Sequence, residues 1–258
     1  RRRAKQRGLD LGKVAADETG TITLDTLENI PKPPEATGLS AMRQAISDAM
    51  TRSKREIPHY YLGDTVDLTN AEEFVAAHNK DRAPDARLVL GALYIRSVAL
   101  AVQSYPEFNG FFDQNQFTPS TDIHVGMAIT LRGGGLVAPA LRNADAGDID
   151  ALMTNLGDLV TRVRQGRFRA RELSDPTITL TSLGERGIGQ ITGVIYPPQV
   201  AIVGFGTPQL RPAVFEGQVV ARKVASISLA ADHRVSDGHA GARFLRAIIS
   251  HLQTPEAL

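Results

Sequence analysis

The stretch Ala231-Asp232-His233-Arg234-Val235-Ser236-Asp237-Gly238 joins two different periodic patterns. Residues 224–231 before it form a run rich in β-branched residues, which is typical of a strand, whereas an amphipathic helical pattern follows Asp237 through Leu252. His233 therefore lies where a rigid strand ends and a helix begins. A histidine in that place can be held in one orientation, and this nominates it as a functional residue.

His233 also has the chemistry of a general base near neutral pH. An imidazole has an unperturbed pKa of about 6.5, whereas a thiol, at about 8.5, is mostly un-ionised at pH 7 and needs a base to become nucleophilic. A structural interpretation fits the same residues: Asp237 caps the last helix, Gly238 relieves a tight turn, and His233 is an ordinary strand-end histidine. The stretch alone leaves both interpretations open.

The rest of the chain predicts strands and long helices without obvious crossover helices. Further strand-like runs cover residues 59–67, 122–131, 177–182, 200–205 and 213–221. Helical spacing of apolar residues predicts three more helices, on Met42, Ile46, Ala49 and Met50 after a Ser40 N-cap, on Leu88, Ala92, Ile95, Ala99 and Val102, and on Ile149, Leu152, Leu156, Leu159 and Val163. This order favours an α/β sandwich with a mixed sheet over a doubly wound sheet.

The first 38 residues have a different character. Residues 1–30 open with a basic run, Arg1, Arg2, Arg3, Lys5 and Arg7, and carry Thr23 and Thr26 where either can cap a short helix. Residues 31–38 hold Pro31, Pro33 and Pro34 among polar residues, which is a semi-rigid linker composition. We therefore expect a small N-terminal domain at 1–30, a linker at 31–38 and the main domain at 39–258. Because the sequence begins without Met, we also expect it to be part of a longer protein.

Composition excludes several function classes. The 258 residues contain 29 Lys+Arg and 28 Asp+Glu, a net charge of +1, so no global field would draw the protein to nucleic acid or a membrane. With no cysteine, the chain has no disulfide, no thiolate nucleophile and no Cys-based metal site, which fits an intracellular protein. No run of about 18 apolar residues is present to span a bilayer.

Six ordered blocks of the sequence share a resemblance. They are Ser53-Lys54 with Ile57-Pro58-His59-Tyr60-Tyr61-Leu62, Tyr105-Pro106-Glu107-Phe108-Asn109, Val125-Gly126-Met127-Ala128 leading to Gly135-Leu136-Val137-Ala138-Pro139, Thr177-Ile178-Thr179-Leu180-Thr181-Ser182-Leu183-Gly184, Tyr196-Pro197-Pro198-Gln199-Val200-Ala201-Ile202, and Asp232-His233-Arg234-Val235-Ser236-Asp237-Gly238. From Leu39 to Leu258 the chain resembles the catalytic domain of the dihydrolipoamide acyltransferases, the core component of 2-oxo acid dehydrogenase complexes.

The resemblance implies a fold and a set of site residues. The fold is a chloramphenicol-acetyltransferase-like two-layer sandwich, a trimer with active sites between subunits that CoA and the dihydrolipoyl arm enter from opposite sides. His233 corresponds to the base that deprotonates the attacking thiol, and Asp237 to the acidic residue that fixes its surroundings. Thr181 stands where the family commonly has a serine that donates to the oxyanion from the neighbouring subunit. Side chains alternate along a strand, so only one of Thr181 and Ser182 can serve.

The resemblance also implies substrates and partners. CoA is a substrate, and the lipoyl group is carried on a domain that this chain does not contain. The acyl group is expected to be acetyl, because residues 57–62 read most like pyruvate-type members, with branched-chain and succinyl specificity left open. Residues 1–30 resemble a partial peripheral-subunit-binding domain, whose basic residues would meet an acidic surface on the dehydrogenase or dihydrolipoamide dehydrogenase component. The implied trimers build 24- or 60-subunit cages, in the cytoplasm or the mitochondrial matrix.

Other polar residues carry weaker signals. His59 is interpreted as structural, and His124 and His239 have no partner at ligand spacing, so no metal site is expected. Residues 132–135, Arg-Gly-Gly-Gly, resemble a phosphate loop but lack its Gly-Lys-Ser/Thr ending. A run of arginines is read as a solvated face: Arg162, Arg164, Arg167, Arg169 and Arg171.

Three functions therefore remain to be separated. The first is acyl transfer between dihydrolipoamide and CoA. The second is a cage-forming core with weak activity, because Thr181 replaces the usual serine. The third is a free-standing acetyltransferase that acts on a small alcohol or amine. His233 and Asp237 argue against the second as the sole role, and the N-terminal segment with its linker argues against the third.

Overall fold

The computed structural model describes Ala4, Gly12, Val14 and residues 21–29, 38–131, 135–184 and 187–258. The chain divides into two compact units, Arg1–Met42 and Arg43–Leu258. Three predicted features lie outside the described residues: residues 31–37 of the linker predicted at 31–38, the basic residues at the start of the chain, and Arg132, Gly133 and Gly134 of the phosphate-like loop. The domain boundaries at 30 and 38 stay a prediction.

The described helices and strands follow one another along the chain in a mixed order. They are α1 (Leu24–Asn29), α2 (Gly38–Glu56), β1 (His59–Asp67), α3 (Thr69–His78), α4 (Leu90–Ser104), β2 (Gly110–Asp113), β3 (Gln116–Pro119), β4 (Val125–Met127), β5 (Ile129–Thr130), β6 (Leu136–Val137), β7 (Ala140–Leu141), α5 (Ile149–Arg164), α6 (Ala170–Ser174), β8 (Ile178–Ser182), β9 (Ala201–Phe205), β10 (Gln209–Phe215), β11 (Gln218–Asp232) and α7 (Gly238–Gln253). Single 3₁₀ turns lie at Pro84–Ala86, Pro106–Phe108 and Pro255–Ala257.

In the N-terminal unit, α1 has the cap that the sequence predicts. The Thr23 hydroxyl accepts a hydrogen bond from the Thr26 backbone N–H at 3.2 Å, so Thr23 caps the helix and Thr26 lies within its first turn. Capping of this kind satisfies one of the four N–H groups that a helix start leaves without a partner.

Seven strands of the described residues form one mixed sheet in the order β1-β11-β9-β8-β4-β7, with β10 paired to β11. Strands β4, β8 and β9 run parallel, and the other neighbours run antiparallel. The predicted mixed α/β sandwich is confirmed. The 15-residue strand β11 organises this sheet, because it pairs with β1 along its C-terminal part, with β9 at residues 227–231 and with β10 at residues 218–224.

The main hydrophobic core lies between one sheet face and the helices. Ile178, Leu180, Val203 and Leu229 point to this face and pack with residues of α4, α5 and α7. Helix α7 is anchored by a stacked aromatic pair, since the Phe108 and Phe244 ring centroids lie 4.4 Å apart. Burying side chains of this size stabilises the fold by about 1.5–3 kcal/mol each, so the strands are held firmly from the helix side.

The other face, which we call the outer face, is covered in part by the segment 187–199. Ser226 and Ser228 donate through their hydroxyls to the carbonyl oxygens of Gly189 and Ile191 at 2.7 and 2.6 Å. The approach is close, because a Cβ on Gly206 would lie 2.1 Å from the Gly189 carbonyl oxygen. Glycine is therefore required where this segment crosses the sheet.

The structure corrects three predictions. The predicted strand at 213–221 is wrong: the chain turns at Glu216 and Gly217, both with positive φ, so the run belongs to two antiparallel strands. The Ser40 N-cap is wrong because α2 begins at Gly38. The strand predicted at 122–131 is two short strands in different sheets. Helix α3 and the β2–β3 hairpin were not predicted.

Candidate active site

His233 lies in a tight turn between β11 and α7. Its backbone N–H donates to the Pro58 carbonyl oxygen at 3.0 Å, and the N–H groups of Val235 and Ser236 both donate to the Asp232 carbonyl oxygen at 3.0 and 3.1 Å. The predicted strand-to-helix position of His233 is confirmed. These bonds fix the turn to Pro58, just before the start of β1, and to Asp232 at the end of β11, so the histidine backbone is held on both sides.

The His233 side chain is exposed and rests against one aromatic ring. Its ring meets the Tyr60 ring edge to face with centroids 5.1 Å apart, and the Tyr60 and Ser236 hydroxyls share a hydrogen bond of 2.8 Å. Burial raises the pKa of Tyr60, so this phenol is neutral at physiological pH. Within the described ranges, neither ring nitrogen of His233 has a hydrogen-bond partner. Both are free for an incoming group.

Asp237 caps helix α7 instead of bonding to His233. Its carboxylate oxygen accepts the Ala240 N–H at 2.8 Å, and this bond is the main reason that the pKa of Asp237 is lowered, with smaller contributions from His239 and His233. The carboxylate is therefore ionised at neutral pH. The side chain fixes the start of the helix that follows the His233 turn, and it adds negative charge beside the imidazole.

Asp232 and Arg234 form the part of the site that the sequence did not reveal. Asp232 is 0% exposed, and its carboxylate accepts the Arg234 backbone N–H at 2.9 Å and the guanidinium Nη2 at 2.6 Å. The Arg234 guanidinium carbon lies 3.9 Å from the centroid of the Phe112 ring. Only the Asp-x-Arg spacing across His233 could have hinted at this pair, and nothing in the sequence links it to Phe112.

Thr181 differs from the other threonines of its strand. Thr177, Thr179 and Thr181 all point to the outer face, opposite the buried Ile178 and Leu180. Thr177 donates to Asn109 at 2.6 Å and Thr179 to Gln199 at 2.6 Å, whereas the Thr181 hydroxyl has no partner among the described residues. The Thr181 residue is 9% exposed and its hydroxyl still reaches solvent, so the hydroxyl can bond to an incoming group.

His233 and Thr181 do not meet within one chain. Thr181 pairs with Gly204, and Gly204 pairs with Ser228, which lies five residues before His233 on the same long strand. At about 3.3 Å per residue along a strand and about 4.8 Å between strands, the two residues are separated by more than roughly 15 Å. A single reacting group cannot touch both residues of the same chain.

The other candidate residues have structural roles. His59 bonds through Nδ1 to the Ile57 carbonyl oxygen at 2.8 Å and accepts the Ile195 N–H at Nε2 at 3.2 Å, so it ties the segment 187–199 to β1. His124 accepts the Asn143 N–H. Arg162 is paired with Asp158 and Glu172. In the part of the chain that is described, no three His, Cys, Asp or Glu side chains are grouped to hold a metal ion.

Comparison with known proteins places this geometry in a family. Residues 31–258 match the family model of the 2-oxoacid dehydrogenases acyltransferase catalytic domain. The chain belongs to this family. Its similarity to relatives extends over almost all of its length, and the resemblance seen in the six sequence blocks is confirmed.

Two curated relatives of the family carry different names. The chain is 32% identical to the dihydrolipoyllysine-residue acetyltransferase component of the pyruvate dehydrogenase complex of Zymomonas mobilis, over 93% of this chain and 53% of that protein. It is 34% identical to the lipoamide acyltransferase component of the branched-chain alpha-keto acid dehydrogenase complex of Pseudomonas putida, over 84% of this chain and 52% of that protein. The chain spans about half the length of these relatives.

Solved structures of family members have the same fold. The dihydrolipoamide acetyltransferase of Azotobacter vinelandii matches with a TM-score of 0.78 at 25% identity, over 88% of this chain and 98% of that one. Its structure was used to investigate the catalytic role of a serine, a histidine and an asparagine, the serine 52 positions before the histidine and the asparagine four after it. The cubic core of the pyruvate dehydrogenase multienzyme complex matches with a TM-score of 0.79 at 25% identity, over 92% of this chain and 98% of that one.

A more distant structure confirms the predicted architecture. A chloramphenicol acetyltransferase matches with a TM-score of 0.55 at 17% identity, over 80% of this chain and 94% of that one, which is a likeness of fold alone. None of the helices in the described ranges combines the length and the apolar character that a bilayer span needs.

Proposed function

We propose that this chain is the catalytic domain of a dihydrolipoamide acyltransferase, which moves an acyl group between dihydrolipoamide and CoA. One observation carries the proposal: an imidazole at the end of β11 and a threonine hydroxyl on β8 both lack hydrogen-bond partners among the described residues. They stand 52 positions apart in this sequence, the same separation as the serine and histidine of the Azotobacter vinelandii enzyme. The Thr181 hydroxyl reaches solvent and has no partner among the described residues, so it is available to a ligand oxygen.

His233 would act as the base. With both ring nitrogens free, it takes the proton from the attacking thiol, and the thiolate adds to the carbonyl carbon of the thioester. The Thr181 hydroxyl donates a hydrogen bond to the oxyanion of the tetrahedral intermediate. When the intermediate collapses, the carbon–sulfur bond to the second thiol breaks, and protonated His233 returns the proton to the leaving thiolate.

Asp237 acts in this scheme as a positioning residue. The relative has an asparagine four positions after its histidine, and both asparagine and aspartate are good N-cap residues. The cap found here at Ala240 is therefore the function that the two residue types share. Through it, Asp237 holds the start of α7 and with it the His233 turn.

The catalytic unit would be an oligomer, because the two residues are too far apart in one chain. We take it to be a trimer in which His233 of one subunit faces Thr181 of its neighbour. The β10–β11 hairpin offers a surface for such assembly, since Leu210, Val214 and Val219 are 71%, 76% and 74% exposed. Exposed apolar side chains grouped in this way mark a site of association. Assembly of trimers into a 24- or 60-subunit cage accords with the similarity to a cubic core.

The substrate pair and the partners follow from the family. The acyl group is acetyl, with branched-chain acyl groups as the alternative, because the relatives above carry both names. The lipoyl group belongs to a domain outside this sequence. Residues 1–30 would bind the dehydrogenase or the dihydrolipoamide dehydrogenase component through their basic residues. A cage with weak activity is the second candidate, favoured by threonine in place of serine.

A single assay tests the function. Acyl transfer to free dihydrolipoamide is measured with acetyl-, isobutyryl- and succinyl-CoA, for the protein and for His233→Ala. We expect turnover with acetyl-CoA and a loss of about 10²–10⁴-fold in His233→Ala. Equal rates in the two proteins would contradict the base assignment. No turnover with any donor, in a protein that assembles, would favour the structural core, and a preference for isobutyryl-CoA would replace the acetyl assignment.

A further inference from the structure

The two residues that flank His233 in sequence are bonded to each other around it. Asp232 has a fully buried carboxylate, which accepts the Arg234 Nε at 2.9 Å and Nη2 at 2.6 Å, and also the Arg234 backbone N–H at 2.9 Å. The side-chain-to-backbone bond closes an Asx turn whose central residue is His233. The backbone of the proposed base is thus set by its two neighbours.

This pair is supported from a distant part of the chain. The Arg234 guanidinium stacks on Phe112 of the β2–β3 hairpin, at 3.9 Å, and the Phe112 N–H donates to the Pro198 carbonyl oxygen at 2.8 Å. A cation held over an aromatic face gains about 0.5–2 kcal/mol, depending on how far it is desolvated. The Arg234 guanidinium is therefore held by the Asp232 carboxylate and by the Phe112 ring.

The pair also sets the charge beside His233. The titratable groups around the turn are Asp232, Arg234, Asp237 and His239 on its own side, and Tyr60 and His59 on β1, with Glu107 near Tyr60 and Lys54 near His59. Arg52, Glu56 and Asp113 line the same pocket as Arg234 and Phe112. A bonded carboxylate and guanidinium nearly cancel at the neighbouring imidazole. Each of them alone would change the imidazole pKa, in opposite directions.

We propose that Asp232 and Arg234 are positioning residues for the acyl-transfer reaction: their ion pair, seated on Phe112, fixes the His233 turn and leaves no net charge on the two residues that flank the imidazole. The inference rests on the proposed function for its consequence in catalysis. The effect on the His233 pKa does not depend on that function. A residue that only stabilised the fold would leave this pKa in place.

Three substitutions separate the charge effect from a loss of structure. Asp232→Asn keeps the acceptor for the Arg234 N–H but leaves the guanidinium charge uncompensated, so the His233 pKa falls. Arg234→Gln leaves the carboxylate, so the His233 pKa rises. The double variant, Asp232→Asn with Arg234→Gln, is neutral again, so the pKa returns toward that of the parent. We expect displacements of about 0.5 pH unit or more in the single variants.

The chain contains a matched control. At the other end of β11, Arg222 binds Asp67 at 2.6 Å and stacks on Phe215 at 4.3 Å, an Asp–Arg–Phe arrangement of the same kind far from His233. Arg222→Gln removes the same charge at the opposite end of β11. It should leave the His233 pKa unchanged, although it removes a comparable ion pair.

Two readouts are measured on the assembled protein. The first is the rate at which diethyl pyrocarbonate modifies the His233 peptide, followed by mass spectrometry against pH, which reports the neutral imidazole fraction whether or not the protein is active. The second is the acid limb of kcat/KM for acetyl transfer to dihydrolipoamide. Arg234→Lys tests the geometry, because it restores the charge but not the two-pronged bond: the pKa should match the parent while kcat falls about tenfold.

Opposite pKa displacements in Asp232→Asn and Arg234→Gln, reversed in the double variant and absent in Arg222→Gln, would support the inference. Displacements in the same direction, or none, would overturn it, as would a kcat in Arg234→Lys equal to that of the parent. The two single variants could shift the pH dependence of His233 modification in opposite directions while the protein shows no acyl transfer. That result would overturn the proposed function and leave the charge effect standing.

Discussion

The two ends of the long strand β11 carry the same chemical arrangement in opposite surroundings. At the site end, the fully buried Asp232 carboxylate binds Arg234, and Arg234 rests on Phe112. At the hairpin end, Arg222 binds Asp67 and belongs to the β10–β11 hairpin, whose Val214 and Val219 are about three quarters exposed. The contacts of the Asp232–Arg234 pair come from its own chain, whereas the hairpin end presents apolar surface to water.

The difference indicates which contacts one chain supplies and which it lacks. The site end has hydrogen bonds that fix the backbone of His233, the proposed base, but Thr181, the proposed oxyanion donor, lies more than roughly 15 Å away along the sheet. The hairpin end has the exposed apolar residues that a second chain would cover. Assembly with a second chain would cover the apolar surface and would also bring a Thr181 hydroxyl to His233.

The largest expected effect concerns the unpaired hydroxyl on β8. Thr181→Val keeps the shape of the side chain and removes the donor, so kcat should fall about 10²–10³-fold, whereas Thr181→Ser should retain most of the rate. Thr179→Val is the matched control, because its hydroxyl is already engaged by Gln199. Thr179→Val should lower the melting temperature while kcat stays close to that of the parent. An undiminished rate in Thr181→Val would move the oxyanion role elsewhere.

The next effect concerns the hairpin end. The double variant Val214→Asp with Val219→Asp places two charges in the exposed apolar surface of the hairpin. It should dissociate the assembly and lower acyl transfer at least tenfold while the subunits stay folded. Light-scattering mass and activity are measured at the same protein concentration. Leu173→Asp is the control, since Leu173 is also exposed, at 40%, but lies on α6. Unchanged mass in the hairpin variant would separate this surface from assembly.

The smallest effect is a pH dependence of stability at the site end. Burial lowers the pKa of His59, which is neutral where it accepts the Ile195 N–H. As the pH falls, His59 becomes protonated in the unfolded chain before it does in the folded one. The stability that depends on neutral His59 is therefore fully present above about pH 6.5 and falls as the pH drops toward the folded pKa. The melting temperature should fall by roughly a few degrees from pH 7.5 to 5.5.

His59→Gln should flatten this dependence, with a remainder from His251, whose pKa burial also lowers. The hairpin end should not contribute in this range. Burial pushes the pKa of Asp67 upward, but the bonds from Thr69 and Arg222 outweigh it and hold the pKa below its ordinary value. The contribution of Asp67 to folding stability is lost only in stronger acid. An equal slope in His59→Gln and the parent would remove His59 from this account.

The sequence predicts the parts of this fold that depend on local patterns. Helices α4, α5 and α7 have regular apolar stripes, and β1 and β8 alternate between two faces, so their existence could be predicted within a few residues. Thr181 and Ser182 could be recognised as candidates on opposite faces for the same reason. The strand-to-helix position of His233 could be predicted because a β-branched run ends just before it and a helical pattern begins just after it.

The remaining features depend on contacts between distant residues. Phe112 and Arg234 are far apart in sequence, and only the folded chain brings the ring under the guanidinium. The turn at Glu216 and Gly217 was hidden because β-branched residues continue on both sides of it. Helix α3 has a short apolar stripe, and its packing against α4 and α7 rather than its own sequence defines it.

The central claim is that one active site takes His233 and Thr181 from two different chains. It is tested most directly by mixing two inactive variants, His233→Ala and Thr181→Val, unfolded together and reassembled in equal amounts. If neighbouring subunits share each site, random mixing gives sites with both intact residues, and acetyl transfer should return to about a quarter of the parent rate. Activity no higher than the sum of the separate variants, in a mixture whose mass shows full assembly, would contradict it.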